Sequence, residues 1–327
     1  MEKNRDTILL EKVLEAFRDL TGQKAVFIKG ALEFNFGNKK IRFKPLVVTR
    51  VDEATIGLAL LNKDTVDQII VTKHIPPEKA EQLRELDLPF LDTAGNAYIN
   101  RAPILIYVQG RACQKKDTVG LVDPFRQLGV KVIFALLCNP GLENQTYRKI
   151  AKEAGVALGG IGRILNELEE IGYLLRRKRG IRLINKGELL QRWVTAYVEK
   201  LHPKLVLDKY TAVERQVDLL LGDTILPGNA YWGGEVAAAK MVKHLVPRRG
   251  IIYIENTPNE LAFKLRLKKD PDGNIELVKK FWRFPMNTLE PLAPPILVYA
   301  NLLAAGNGRN IETAKVLYEE KIQRIIT

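Results

Sequence analysis

The stretch Gly155-Val-Ala-Leu-Gly-Gly-Ile-Gly-Arg-Ile-Leu places glycines at 155, 159, 160 and 162 directly before an apolar pattern of helical period. Bare backbone at that density serves either a loop that cradles a nucleotide phosphate or a turn and helix entry that must approach something closely. A phosphate loop requires a strand before the glycines and a helix after them. Here the preceding run, Tyr147-Arg-Lys-Ile-Ala-Lys-Glu-Ala, is helix-like, and the spacing G-x-x-x-G-G-x-G matches neither G-x-G-x-x-G nor G-x-x-x-x-G-K-[ST]. The stretch therefore reads as the turn of a helix-turn-helix, with Gly155 in a left-handed conformation and Gly159, Gly160 and Gly162 in the first turns of the next helix. Each helical glycine costs up to about 1 kcal/mol relative to alanine. Two reasons remain open: approach of the backbone to DNA, or close packing against a neighbouring helix.

A second concentration of chemistry lies just downstream. Arg176-Arg177-Lys178-Arg179, with Arg182, sits between two short apolar runs, as in the tip of a hairpin. Upstream, "PFRQLGVKVIFALLCNP" predicts a helix closed by Pro140-Gly141, and "TYRKIAKEAG" a second helix with Thr146 as N-cap and Gly155 as its stop. The third carries Leu158, Ile161, Leu165, Leu168 and Ile171 at spacings of three and four. Three helices followed by a basic hairpin are the order of a winged helix-turn-helix. The residues expected at DNA are Gln145, Thr146, Tyr147 and Arg148, then Ala157, Gly159, Gly160 and Arg163, and on the wing Arg176, Arg177, Lys178, Arg179 and Arg182. Phosphate contacts would then supply most of the affinity, with strong salt dependence and limited base discrimination.

The whole chain is compatible with that partner. Its 327 residues carry 51 Lys+Arg against 38 Asp+Glu, a net charge of +13 that attracts polyanions. No apolar run approaches a membrane span and the N-terminus lacks a signal-peptide core, so no membrane partner and a cytoplasmic location are expected. Cys113 and Cys138 are too few for a disulfide framework and lack metal-ligand spacing. No cofactor, metal or catalytic residue is expected.

The flanking elements predict an α+β protein of three domains. Residues 7–20 form an amphipathic helix; then come a hairpin turning at Gly37-Asn38, the strand "QIIVTKHI", a crossing helix "PPEKAEQLRELD" and two strands around Ala94-Gly95-Asn96. The polar segment 111–122 reads as a linker, giving domains at 1–118, 119–204 and 205–327. The helix "GELLQRWVTAYVEKL" is expected to end at His202-Pro203. The last domain mixes strand-like runs ("GIIYIEN", "LAFKLRLKKD", "NIELVKKFW") with helices ("GGEVAAAKMVKHL", "PPILVYANLLAAG", "NIETAKVLYEEKIQRII").

The run "VIFALLCNPGLENQTYRKIAKEAGVALGGIGRILNELEEIGYL", with "LINKGELLQRWVTAYVEKLHPKL", "YWGGEVAAAKMVKHL" and "PPILVYANLLAAGNGRNIETAKVLYEE", resembles the larger members of the AbiEi-type antitoxin family of type IV toxin-antitoxin systems. The resemblance covers roughly the last two-thirds of the chain. It implies a winged helix-turn-helix that binds promoter repeats as double-stranded DNA and represses, and a C-terminal antitoxin-like α+β domain that counteracts a nucleotidyltransferase-like toxin without a stable complex. A homodimer is compatible with it.

The N-terminal element order resembles a restriction-endonuclease-like α/β core, whose metal is held by an Asp and a D/E-x-K strand. The nearest local match is Asp67 followed by Val71-Thr72-Lys73, where valine stands in place of the acid; Asp52, Asp64 and Asp92 do not complete the pattern. A degenerate, non-cleaving domain is expected, offering DNA-binding or self-association surface. His74, His202 and His244 are scattered. Gly233-Gly234-Glu235 has a faint nucleotidyltransferase likeness but reads as a helix entry, and Trp232, Phe281 and Trp282 as core or domain-contact residues. The sequence thus predicts a DNA-binding repressor and antitoxin. A metal-dependent nuclease and a protein-interaction module are the alternatives.

Overall fold

The computed structural model describes residues 5–112, 123–177, 180–212, 226–227, 230–255, 257–286 and 290–326. Cys113, most of the expected linker, and Lys178 and Arg179 of the expected wing lie outside the described residues. The chain divides into two compact units, 1–123 and 124–327.

In the first unit, α1 (Arg5–Thr21) turns Leu10, Val13 and Phe17 into a core. Seven strands follow, β1 (Lys24–Ile28), β2 (Ala31–Phe36), β3 (Lys39–Val47), β4 (Gln68–Thr72), β5 (Phe90–Asp92), β6 (Ala97–Arg101) and β7 (Ile104–Val108), paired in sequential order. β1-β2-β3 is an antiparallel meander, β3, β4 and β5 are parallel, and β5-β6-β7 is antiparallel again. Gly37 (φ +61°) and Gly95 (φ +86°) occupy the two expected turns. α1 covers the face carrying Phe34, Phe43, Val71 and Ile99.

Two helices, not one, make the parallel crossovers: α2 (Glu53–Asn62) and α3 (Pro77–Glu85). α2 is buried at every position from Ala54 to Ala59, so it carries no apolar stripe for a periodicity reading to find. Three of the four carboxylates considered for a metal, Asp52, Asp67 and Asp92, are engaged by protein groups. Asp52 caps α2, accepting from the Thr55 N–H at 2.8 Å. Asp92 is buried and accepts from the N–H groups of Ile75, Ala94 and Asn96 and from the Asn96 amide. Asp67 pairs with Arg101 at 3.0 Å, and Val71 is core.

The second unit opens with α4 (Gln127–Cys138), α5 (Tyr147–Ala154) and α6 (Ile161–Glu170), then the two-stranded hairpin of β8 (Leu174–Arg177) and β9 (Gly180–Leu183). This is the expected order of elements. α7 (Lys186–Ala196) continues helically past the expected stop at Pro203 as far as Leu205, because a proline is tolerated in the first turn of the final segment.

A five-stranded sheet follows in the order β11-β12-β14-β10-β13, built from β10 (Val206–Ala212), β11 (Ala230–Gly233), β12 (Gly250–Ile254), β13 (Leu267–Lys269) and β14 (Ile275–Lys279). The "LAFK" run is not a strand. It lies in a short helix, Pro258–Lys264, started by its proline. Of three further helices, Gly234–Val242 packs on β11 and β12 and Pro295–Ala305 on β11, while Gly308–Leu317 packs on these two helices.

The sequence separates residues 119–204 from 205–327, but in the structure 124–327 share one core. Phe134 of α4 lies 5.1 Å from Trp193 of α7 and 5.0 Å from Phe281 beyond β14. The Tyr197 hydroxyl is 2.9 Å from that of Tyr253 on β12. Trp232, Phe281 and Trp282 are all buried, Phe281 and Trp282 joining the helices to the sheet. Gly233 and Gly234 enter a helix, as expected, and Glu235 behind them is buried and fully engaged by Arg309, Asn310 and the backbone of Arg248 and Arg249.

Candidate nucleic-acid interface

The exposed surface around α5, α6 and the hairpin is assembled from local signals that the sequence states clearly. Thr146 caps α5, its hydroxyl accepting from the Lys149 N–H at 3.3 Å. Gly155 ends the helix in the left-handed conformation (φ +65°), and a Cβ there would also collide with the Phe281 carbonyl. Gln145, Thr146, Tyr147 and Arg148 are exposed, as are Ala157, Leu158 and Gly159.

The glycines after the turn divide. Gly159 and Gly160 lie in a short 3-10 turn, Leu158–Gly160, before α6, so the helix begins later than the periodicity suggests and Leu158 is exposed rather than core. A Cβ on Gly160 would come within 2.9 Å of Leu128 on α4, and one on Gly162 within 3.2 Å of the Tyr147 ring. Side-chain packing therefore bears on these two, from the exposed Leu128 and Tyr147. Gly159 has open space around its Cβ position.

Arg163 is two-thirds exposed, yet its Nε donates to Glu167 at 2.8 Å, and Arg126 reaches the same carboxylate at 3.0 Å. This i,i+4 pairing draws Arg163 along its own helix.

The basic run on the hairpin splits by strand alternation. Leu174 and Arg176 point one way, Leu175 and Arg177 the other, with Arg182 opposite Leu175. Arg176 turns inward, donating to Asn166 at 2.6 Å and pairing with Glu169 at 2.8 Å on α6. Arg177 and Arg182 share the outer face, exposed. With Arg148 they have no ion-pair partner among the described residues.

Asn144 was not among the expected residues. Its amide binds the Ile181 backbone at both ends, donating to the carbonyl and accepting from the N–H, each at 2.7 Å. Gly180 (φ +128°) follows from it, since a Cβ there would meet the Asn144 amide oxygen. Nothing in the sequence flags this asparagine beyond its place just before a helix cap.

Residues 182–323 match the family model described as "Transcriptional regulator, AbiEi antitoxin, Type IV TA system". The match begins in β9 and runs through α7 and the C-terminal sheet, so it bears out the resemblance there, while α4, α5 and α6 lie outside it. No curated protein and no solved structure matches the chain. Among the described residues no helix is long and apolar enough to cross a membrane.

Proposed function

We propose that the protein is a cytoplasmic transcriptional repressor and antitoxin of a type IV toxin-antitoxin system, binding promoter repeats in double-stranded DNA through a winged helix-turn-helix formed by α4, α5, α6 and the β8–β9 hairpin. The matched family supports the regulator and antitoxin roles; the DNA contact rests on geometry. The observation that carries it is that the exposed start of α5 is tied to the hairpin through Asn144 and Ile181 and lies against the start of α6 through Tyr147 and Gly162, with Gly159, Arg148, Arg177 and Arg182 exposed on these same elements.

On this reading the turn at Gly159 brings backbone N–H groups to phosphate, the start of α5 holds the neighbouring phosphates, and the outer face of the wing reaches the flanking backbone or minor groove. Sequence is read sparingly, because Gly159 offers no side chain and Arg163 is tethered to Glu167. The C-terminal sheet and its helices would counteract a nucleotidyltransferase-like toxin, and the chain would act without a cofactor. The restriction-endonuclease-like N-terminal unit would not cleave, a reading supported by the engagement of Asp52 and Asp92 in backbone capping.

Footprinting on DNA upstream of the protein's own gene tests the proposal. Protected repeats, lost in an Arg177→Glu/Arg182→Glu variant, are expected; no protection at any salt concentration would refute it. A magnesium-dependent nicking assay on the same DNA decides against or for the nuclease.

A further inference from the structure

Among the described residues of the first unit, no helix lies over part of one face of the sheet. α2 and α3 lie on the side to which Ile70, Phe90 and Tyr98 point: Ala59 of α2 shares a crevice with Ile70, and Tyr107, beside Tyr98, donates to Glu81 of α3. On that side the meander β1-β2-β3 carries two cross-strand rows, Lys24–Asn35–Lys40 and Val26–Glu33–Arg42. Lys44 comes next along β3, on the same face as residues 40 and 42, while Ile41 and Phe43 point to the core under α1. Lys24, Lys40, Arg42 and Lys44 are all exposed.

One acid lies among them. Glu33 is buried and holds both neighbours, accepting from Arg42 at 2.7 and 2.8 Å and from Lys40 at 3.2 Å. The Arg42 hydrogen bond, with Lys40 beside it, keeps its carboxyl below the usual range. The two cations remain 71% and 66% exposed, anchored from beneath with their heads in solvent. Among the described residues the face therefore presents Lys24, Lys40, Arg42 and Lys44 around the sunken Glu33 carboxylate, and the winged-helix reading uses none of them.

We propose that this face is a second contact for duplex DNA, gripping the phosphate backbone through Lys24, Lys40, Arg42 and Lys44. Alternate residues of β3 repeat at about 6.8 Å, so Lys40, Arg42 and Lys44 stand far enough apart to meet different phosphates, whose charges recur about every 3.4 Å of helix axis on each strand. The face offers positioning without base reading. A second copy of the chain is a poor occupant, because pairing the face with itself sets like charges against one another. Val26 and Ile28 stand at its outer margin on the edge strand.

The inference does not depend on the winged-helix reading, and the test separates them. Full-length protein carrying Arg177→Glu/Arg182→Glu is titrated with salt on a short random-sequence duplex, followed by anisotropy, with and without Lys24→Gln/Lys40→Gln/Lys44→Gln. The triple substitution is expected to weaken binding about tenfold or more at low salt and to flatten the log–log salt slope by about 2 to 3. Lys→Arg at the same three positions should restore both, and Lys12→Gln/Lys73→Gln should leave both unchanged. An unaltered slope overturns the proposal. So does a loss confined to single-stranded RNA or anionic vesicles, or a triple variant whose only change is in oligomeric state by ultracentrifugation.

Discussion

Asn144 and Ile181 are joined by a two-point hydrogen bond, side-chain amide to backbone amide, with both contacts at 2.7 Å. The bond ties the hairpin to the segment leading into α5, so the two elements proposed to face DNA keep one spacing. Asn144→Ala should lower global stability by no more than about 1 to 2 kcal/mol. Hydrogen exchange at the Ile181 amide should speed up, and duplex affinity should fall more than stability does. Unchanged protection at Ile181 would show that the pair does not position the wing.

The divided glycines make opposite demands. Gly159→Ala should leave the melting temperature unchanged or raise it, because nothing crowds the new methyl. Gly160→Ala should lower stability by about 1 kcal/mol as Leu128 yields. Gly159→Glu is the informative variant for binding: an unchanged fold with duplex affinity lost is expected. Retained affinity would remove the turn from the interface.

Wing arginines on opposite faces should behave differently under salt. Arg177→Gln and Arg182→Gln should each reduce the salt slope by about 0.9 if each meets one phosphate. Arg176→Gln breaks contacts to Asn166 and Glu169 instead, and should loosen the hairpin with little change of slope. Equal slopes for all three variants would refute the assignment of faces.

Phe134 sits where the helices meet the sheet, within 5.0 to 6.1 Å of Trp193, Phe281, Trp282 and Phe284. Phe134→Ala should cost about 3 to 5 kcal/mol. Unfolding of residues 124–327 should remain one transition, with tryptophan fluorescence and wing amide signals coincident. Separate transitions would mean that the two parts fold independently.

Asp52 links capping to pH. Burial raises its pKa above the usual 3.8 despite the Thr55 hydrogen bonds. The native state therefore binds this proton more tightly than the unfolded chain, and the Asp52 contribution to stability falls as pH rises from the unfolded value through the raised one. Asp52→Asn keeps an acceptor for Thr55 and should abolish that part of the pH dependence in denaturant melts. Asp52→Ala should cost about 1 kcal/mol through the lost cap. An identical pH profile for wild type and Asp52→Asn would contradict the assignment.

The sequence by itself determined the local grammar: the Thr146 cap, the left-handed Gly155, the three helices, the hairpin after them, and the turns at Gly37 and Gly95. Each depends on neighbours a few residues away, where propensity and period decide conformation. Tertiary structure alone decided which glycine packs, which arginine faces outward and where one core ends. Gly160 is confined by Leu128, more than thirty residues upstream, and Gly155 by Phe281, more than a hundred residues downstream. Arg176 and Arg177 differ only by the parity of a strand, which is fixed when Leu174 is buried. The same parity gathered Lys24, Lys40, Arg42 and Lys44 from two strands onto one face, where the linear sequence shows only scattered charge.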